Sequence, residues 1–332
     1  MRNEILLDRA GSHRPIFSIV AMFLGLLALI ATGVQAQVVN STQNPLQLAL
    51  LHWDKANQTT SFPVGSSPTG VAFDGASVWV ANSGSNTVSR LSTNDGTTLG
   101  TFSVGNQPSA VVYDGANVWI TNVLGGSVTK LRAADGTILG TFPVQQNPFG
   151  AAFDGANIWV TNYGSNTVTK LRASDGTNLG NFPVGQRPVG VAFDGANIWV
   201  ANYLSNTVTR LRASDGTSLG TFPVAHGPNG VAFDGANIWV TQISYPYGVT
   251  KLRASDGTNL GSFPTQTNPS SVAYDGANIW VTNGGSNTVT KLRAGNGGSL
   301  GVFTTGSNPQ GIVFDGANIW VANQLGGTVS KL

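Results

Sequence analysis

Proline stands at Pro68, Pro108, Pro148, Pro188, Pro228, Pro269 and Pro309, a step of 40 residues interrupted once by a step of 41. Tryptophan keeps the same interval at Trp79, Trp119, Trp159, Trp199, Trp239, Trp280 and Trp320. Seven copies with two landmarks at a fixed offset restrict the chain to a repeat architecture. In such an architecture each copy is one supersecondary unit that buries its faces only against its neighbours.

One copy shows what the unit is. In GAAFDGANIWVTNYGSNTVTKLRASDGTNLGNFPVG, residues 150–185, Asp154-Gly155 and Asp175-Gly176 mark tight turns, because glycine supplies positive φ and aspartate bonds its neighbouring backbone. Segments rich in Val, Ile, Thr, Phe and Trp lie between the turns, with a Gly-Ser-Asn break around Ser165. This predicts four strands: A over 150–153, B over 157–161, C over 166–171 and D over 178–184. No segment spaces its apolar residues by three and four over a helical length. Ile158, Trp159 and Val160 in strand B are all apolar, which suits a sheet covered on both faces. The expected fold class is all-β, a seven-bladed β-propeller of four-stranded antiparallel blades.

Strand D carries Phe62, Phe102, Phe142, Phe182, Phe222, Phe263 and Phe303, and the first of these precedes the first tryptophan. The last copy ends with strand C at Leu332. Segment 59–64 is therefore expected to complete blade 7, which removes two exposed strand edges. The propeller is assigned to 46–332, although LQLALLHW at 46–53 has no slot in the repeat.

Ahead of it, 1–15 carry Arg2, Arg9 and Arg14, an apolar run fills 16–34, and Val34, Gln35 and Ala36 form a small-residue ending. Residues 1–36 read as a secretory signal peptide followed by a polar linker over 37–45, with an uncleaved anchor through 16–34 as the alternative. Secretion or periplasmic export is expected, with no membrane span once the segment is removed. Removal takes away three arginines, Glu4 and Asp8 and leaves the rest nearly neutral. Of all 332 residues only 10% are charged, with a net charge of +2 and no run of like charges, so a nucleic acid partner is not expected. The absence of cysteine excludes disulfides, thiolate zinc sites and cysteine nucleophiles.

Strand direction alternates, so the B-to-C and D-to-A loops share one face of the disc and both Asp-Gly turns share the other. The turns are monotonous, with Asp-Gly-Ala at Asp74, Asp114, Asp154, Asp194, Asp234, Asp275 and Asp315. Asp-Gly recurs at Asp95, Asp135, Asp175, Asp215 and Asp256. These aspartates are expected to shape turns, and Lys170 and Arg172 beside them to form surface ion pairs. Copy-to-copy differences fall on the other face. They cluster at Phe149, Tyr163, Arg187, Tyr203, Leu204, His226 and Asn229 and in the longer loop Gln242-Ile243-Ser244-Tyr245-Pro246-Tyr247. Exposed tyrosines with an arginine suit recognition, so this is the candidate ligand-binding face; drift in unconstrained loops would look the same. Strand B ends in a ring of amides, Asn82, Asn122, Asn162, Asn202, Gln242, Asn283 and Asn323. Their carbonyls are candidate ligands for a divalent cation in the central channel, and capping of the B-to-C loops through backbone bonds is the alternative.

WVTNYGSNTVTKL, residues 159–171, resembles the repeat named for Tyr-Val-Thr-Asn (YVTN), with tryptophan in the tyrosine position. The resemblance covers all seven copies, and it implies a propeller of the kind found in exported and surface-layer proteins. The layout is also similar to NHL-repeat, gluconolactonase-like and streptogramin-lyase propellers, which implies the possibility of metal-dependent catalysis. Those enzymes rely on glutamate, with histidine in the lyases and aspartate in the lactonases. Here Glu4 is the only glutamate, and His52 and His226 are the only histidines beyond the signal segment. No catalytic residue is assigned and no cofactor is expected. The expected role is a non-catalytic binding or scaffold module for a protein, glycan or other envelope partner. The alternatives are a propeller lyase or lactonase-like enzyme and a structural cell-surface protein.

Overall fold

The computed structural model describes residues 60–332, which form twenty-eight strands in seven four-stranded antiparallel sheets. Strand β1 (Ser61–Pro63) precedes blade 1, which runs β2 (Pro68–Phe73), β3 (Ser77–Asn82), β4 (Thr87–Ser92) and β5 (Thr98–Ser103) from the axis outward. Blades 2 to 6 repeat this meander from β6 (Pro108–Tyr113) to β25 (Ser299–Thr304). Blade 7 orders β26 (Pro309–Phe314), β27 (Ile319–Asn323) and β28 (Thr328–Lys331), then β1. Phe62 faces Val329 across the β1–β28 pair, so the ring closes by joining the first described strand to the last, as the phenylalanine spacing required. In blade 3 the strands span Pro148–Phe153, Asn157–Asn162, Thr167–Arg172 and Asn178–Pro183, within two residues of their expected bounds. The signal segment, the linker and residues 46–53 lie outside the described residues.

The core is seven layers, one between each pair of blades. Trp159 and Val168 of blade 3 pack against Ile198, Val200 and Leu211 of blade 4, while Ile158 and Val160 face Trp119 of blade 2. Strand B is apolar at successive positions because each of its faces meets a different neighbour. Each tryptophan removes about 200 Å² from water, worth at most about 5 kcal/mol. Trp159 stacks on Phe182 of its own blade at 5.4 Å between ring centres, and its Nε1–H donates to Asp154 Oδ2 at 2.7 Å. Asp154 Oδ1 meanwhile accepts the backbone N–H of Ala156 and Asn157, so one carboxylate both shapes the turn and anchors the indole. Gly176 serves two ends as well: it has φ +77°, and a Cβ there would run into the Phe142 ring of the preceding blade.

The expectation for Lys170 is corrected. Its side chain is buried, and Nζ donates to the carbonyls of Ala213 at 2.7 Å and Ser214 at 3.0 Å in blade 4, with the Trp159 ring 5.0 Å away. Lys130 and Lys251 bridge their blades to the next in the same way, and Lys331 does so from blade 7 to Thr93 of blade 1. Two backbone carbonyls and an indole face hold a charge that burial alone would not tolerate. Arg172 does form the expected exposed ion pair, 3.0 Å from Asp175.

Candidate functional site

Strand A slips out of register directly after its proline. In blade 3, Pro148 pairs with Asn162 and Ala151 with Val160, so Phe149 and Gly150 together stand opposite Thr161. The other six blades repeat the slip. A bulge of this kind re-aims a side chain and frees backbone groups. Thr161 Oγ1 takes up the slack, accepting from Gly150 N–H at 2.8 Å and donating to the Val189 carbonyl of blade 4 at 2.7 Å. Thr121, Thr241 and Thr282 reach the carbonyls of Phe149, Ser270 and Gln310 likewise. In blades 2, 3, 5 and 6 the bulge is therefore bonded to that of the next blade, while Ala81, Ala201 and Ala322 take the threonine's place in the other three.

The residue after each proline lines a cavity of about 290 Å³ at the axis: Thr69, Ser109, Phe149, Val189, Asn229, Ser270 and Gln310. A second ring follows the strand B amides: Ser83, Val123, Tyr163, Tyr203, Ile243, Gly284 and Gln324. In all seven blades its backbone N–H donates to the carbonyl of the residue before the proline, as Tyr203 does to Arg187 at 3.0 Å. A nearly invariant backbone thus presents fourteen variable positions around the mouth of the channel. The fourteen include no ionisable side chain other than the phenols of Tyr163 and Tyr203.

The mouth has two unlike sectors. Blades 2 to 5 contribute Val123, Phe149, Tyr163, Val189, Tyr203 and Ile243, with Ser109 and Asn229 as their polar members; blades 6, 7 and 1 contribute Ser270, Gly284, Gln310, Gln324, Thr69 and Ser83. On the polar side Ser270 Oγ donates to Gln310 Oε1 at 2.8 Å, and Gln310 Nε2 to Asn308 Oδ1 at 2.9 Å. Asn308 Nδ2 then donates to Gln324 Oε1 at 2.8 Å, extending the chain of side-chain amides. On the apolar side Phe149 lies 6.3 Å from Tyr163 between ring centres, and the Arg187 guanidinium sits 5.3 Å from the Tyr163 ring.

Of the residues singled out in the sequence, Phe149 and Asn229 line the cavity, and Tyr163 and Arg187 stack behind Phe149. Tyr203 packs beside Gly227. Leu204, His226 and Tyr245 are exposed and, with the half-buried Tyr247, lie outside the cavity lining; Tyr245 and Tyr247 meet edge to face at 6.0 Å. Gln242 is a correction: it is buried, and its amide donates to the Thr250 hydroxyl instead of projecting from the loop. Sequence reasoning passed over Thr69, Ser109, Val189, Ser270 and Gln310. Their signal was available as the one changing position between an invariant proline and a small residue that is glycine in five copies.

The asparagine ring does not line the cavity. Asn162 Nδ2 donates to the hydroxyls of Thr167 and Thr169 on strand C, and the other five asparagines bond the equivalent hydroxyls. Capping thus runs mainly through side chains of strand C, where backbone partners were expected. Oδ1 of Asn82, Asn122, Asn162, Asn202, Asn283 and Asn323 is buried with no partner among the described residues. These oxygens are buried off the axis, and the cavity lining itself offers hydroxyls and neutral amides but no carboxylate or imidazole. The asparagine carbonyls therefore do not meet in the channel as ligands of one cation would.

Charge is collected at the opposite face. Among the described residues every aspartate lies in a turn of that face, and every lysine and arginine except Arg187 lies on strand C. Half-burial pushes the Asp154 carboxyl up, but bonds from the Trp159 indole, the Asn157 side chain and the Ala156 and Asn157 amides outweigh it and hold the group below the usual carboxylate value. Asp114, Asp234, Asp275 and Asp315 are lowered by the same balance. Exposed Asp135 is lowered to about 2, chiefly by the Thr137 backbone and hydroxyl, with Arg132 adding to it. These are turn carboxylates kept ionised, not acids poised for proton transfer.

The fold is similar to a streptogramin B lyase, with a TM-score of 0.70 and 21% identity over 82% of this chain and 95% of that one. It is similar to a hydrazine synthase of Kuenenia stuttgartiensis, with a TM-score of 0.72 and 18% identity over 80% and 95%. A virginiamycin B lyase from Staphylococcus aureus gives 0.70 and 20% over 82% and 97%. The chain has the propeller fold. At these identities the likeness extends to fold alone. No family model matches the sequence, and the search of curated proteins finds no match.

Proposed function

We propose that the protein is a non-catalytic binding module of the cell envelope that engages its partner at the channel mouth of the variable face. The observation that carries this reading is the pair of concentric rings. Fourteen positions vary on a backbone frame that hardly does, which is how a scaffold presents a binding surface. The inner ring contains no side chain able to act as general acid or base near neutral pH, so a lyase or hydrolase reaction has no proton carrier there. The signal-like N-terminus and the YVTN-type repeat support export and retention at the envelope.

The test is affinity capture from the native envelope with the full chain and two variants. Phe149→Ala with Tyr163→Ala alters the mouth, and Arg212→Ala alters the opposite face. Loss of the captured component with the first variant and retention with the second is the expected result. The reverse pattern overturns the reading.

A further inference from the structure

The chemistry of the mouth narrows what it takes. Arg187 is the only lysine or arginine of the described residues that is not on strand C, and its guanidinium is already stacked on Tyr163. A nucleotide or an acidic chain would find no cluster of cations there. A purely apolar ligand would fill the aromatic sector but strip water from Gln310 and Gln324, leaving unused amide N–H and carbonyl lone pairs unpaired. A ligand that satisfies both sectors needs an apolar face, many neutral groups that each donate and accept, and no charge. A pyranose ring has that composition: C–H bonds on its faces and hydroxyls around its rim. Carboxamides donate and accept at once, so their partners in such a ligand need no ionisation.

Resting on the reading of the variable face as the docking surface, we propose that the channel mouth binds the end of a neutral oligosaccharide. One sugar face lies against Phe149, which Tyr163 backs, and the hydroxyls bond the Gln310 and Gln324 amides, which Asn308 links. Size agrees, since about 290 Å³ is at the bottom of the range for ligand cavities and takes the last one or two sugar units, not the middle of a chain. The site is also ordered in advance. The amides hold one another through bonds of 2.8 and 2.9 Å, and the backbone of the second ring is tied down in every blade, so little side-chain freedom is lost on binding.

The experiment is calorimetric titration of the full chain with maltotetraose, cellotetraose, laminaritetraose and the tetramer of N-acetylglucosamine, with tetragalacturonate as a charged comparison. At least one neutral tetramer is expected to bind. Phe149→Ala and Gln310→Ala are each expected to weaken it about tenfold, the loss of one aromatic or amide partner. Arg212→Ala should leave affinity unchanged, and all three variants should keep the parental melting temperature within a few degrees, because none removes a core side chain. Absence of binding by every neutral tetramer at about 10 mM overturns the proposal, as does binding that both mouth variants leave intact or that only tetragalacturonate shows. If the tetramers fail while the mouth variants still lose the component captured from the envelope, the saccharide inference falls and the docking surface stands. If capture maps to the Asp-Gly face, both fall.

Discussion

Replacing Phe62 by alanine tests the closure of the ring. Strand β1 has three residues, and only Phe62 is buried. Its ring lies 5.6 Å from Trp320 and abuts the Gly96 turn of blade 1. Truncating a buried phenylalanine costs about 3–5 kcal/mol. Phe182→Ala is the control, since it removes the same ring pair, at 5.4 Å, from Trp159, at a half-buried position. Both variants should lower the melting temperature by about 5–15 °C on the packing cost alone. Their consequences then diverge. The strand that carries Phe182 is joined through the chain to its own blade on one side and to the next on the other. Strand β1 reaches blade 7 only through hydrogen bonds and side-chain packing, among them Lys331 N–H to the Thr60 carbonyl at 2.7 Å and Val64 N–H to Gly327 at 3.0 Å. In Phe62→Ala these two amides should exchange with deuterium at nearly the rate of a frayed terminus, while in Phe182→Ala they stay protected. Equal protection in the two variants would show that β1 is held by something other than its phenylalanine, and the closure argument would fail.

Three further outcomes are expected. In a double-mutant cycle between Asp154→Ala and Trp159→Phe, the coupling in urea unfolding should be about 1.5–3 kcal/mol, the worth of a hydrogen bond to a charged acceptor, and additivity would contradict the shared role of that carboxylate. Lys170→Met should cost about 1–3 kcal/mol because it unties blade 3 from two carbonyls of blade 4, whereas Arg172→Met should cost under about 1 kcal/mol; equal effects would sink the distinction. The turn aspartates whose folded values lie below the unfolded one bind fewer protons folded than unfolded as the medium acidifies. Their stabilisation is therefore complete above about pH 4 and drains away as pH falls through the folded values toward the value of about 2 held by Asp135. A melting temperature that rises between pH 5 and pH 3 would reverse this sign.

Much of the fold was legible because the repeat writes it seven times. Asp154-Gly155 and Asp175-Gly176 announced turns, the all-apolar Ile158-Trp159-Val160 announced a sheet covered twice, and Phe62 ahead of the first tryptophan announced the closing strand. Lys170 was misread because its partners are backbone carbonyls 43 and 44 residues on, which have no sequence signature. Gln242 was misread for a related reason: an amide at the edge of a variable loop looks exposed until its hydroxyl partner on the next strand is known.

By itself the sequence determined the class, the number of blades, the strand order and the face on which variation collects, because period, turn chemistry and apolar alternation are local properties of the chain. Which variable side chains meet was decided only in three dimensions. The bulge after each proline turns Phe149 and Gln310, 161 positions apart, toward one cavity. That convergence comes from bending seven sheets around an axis, and it gave an uncharged mouth an aromatic side and an amide side.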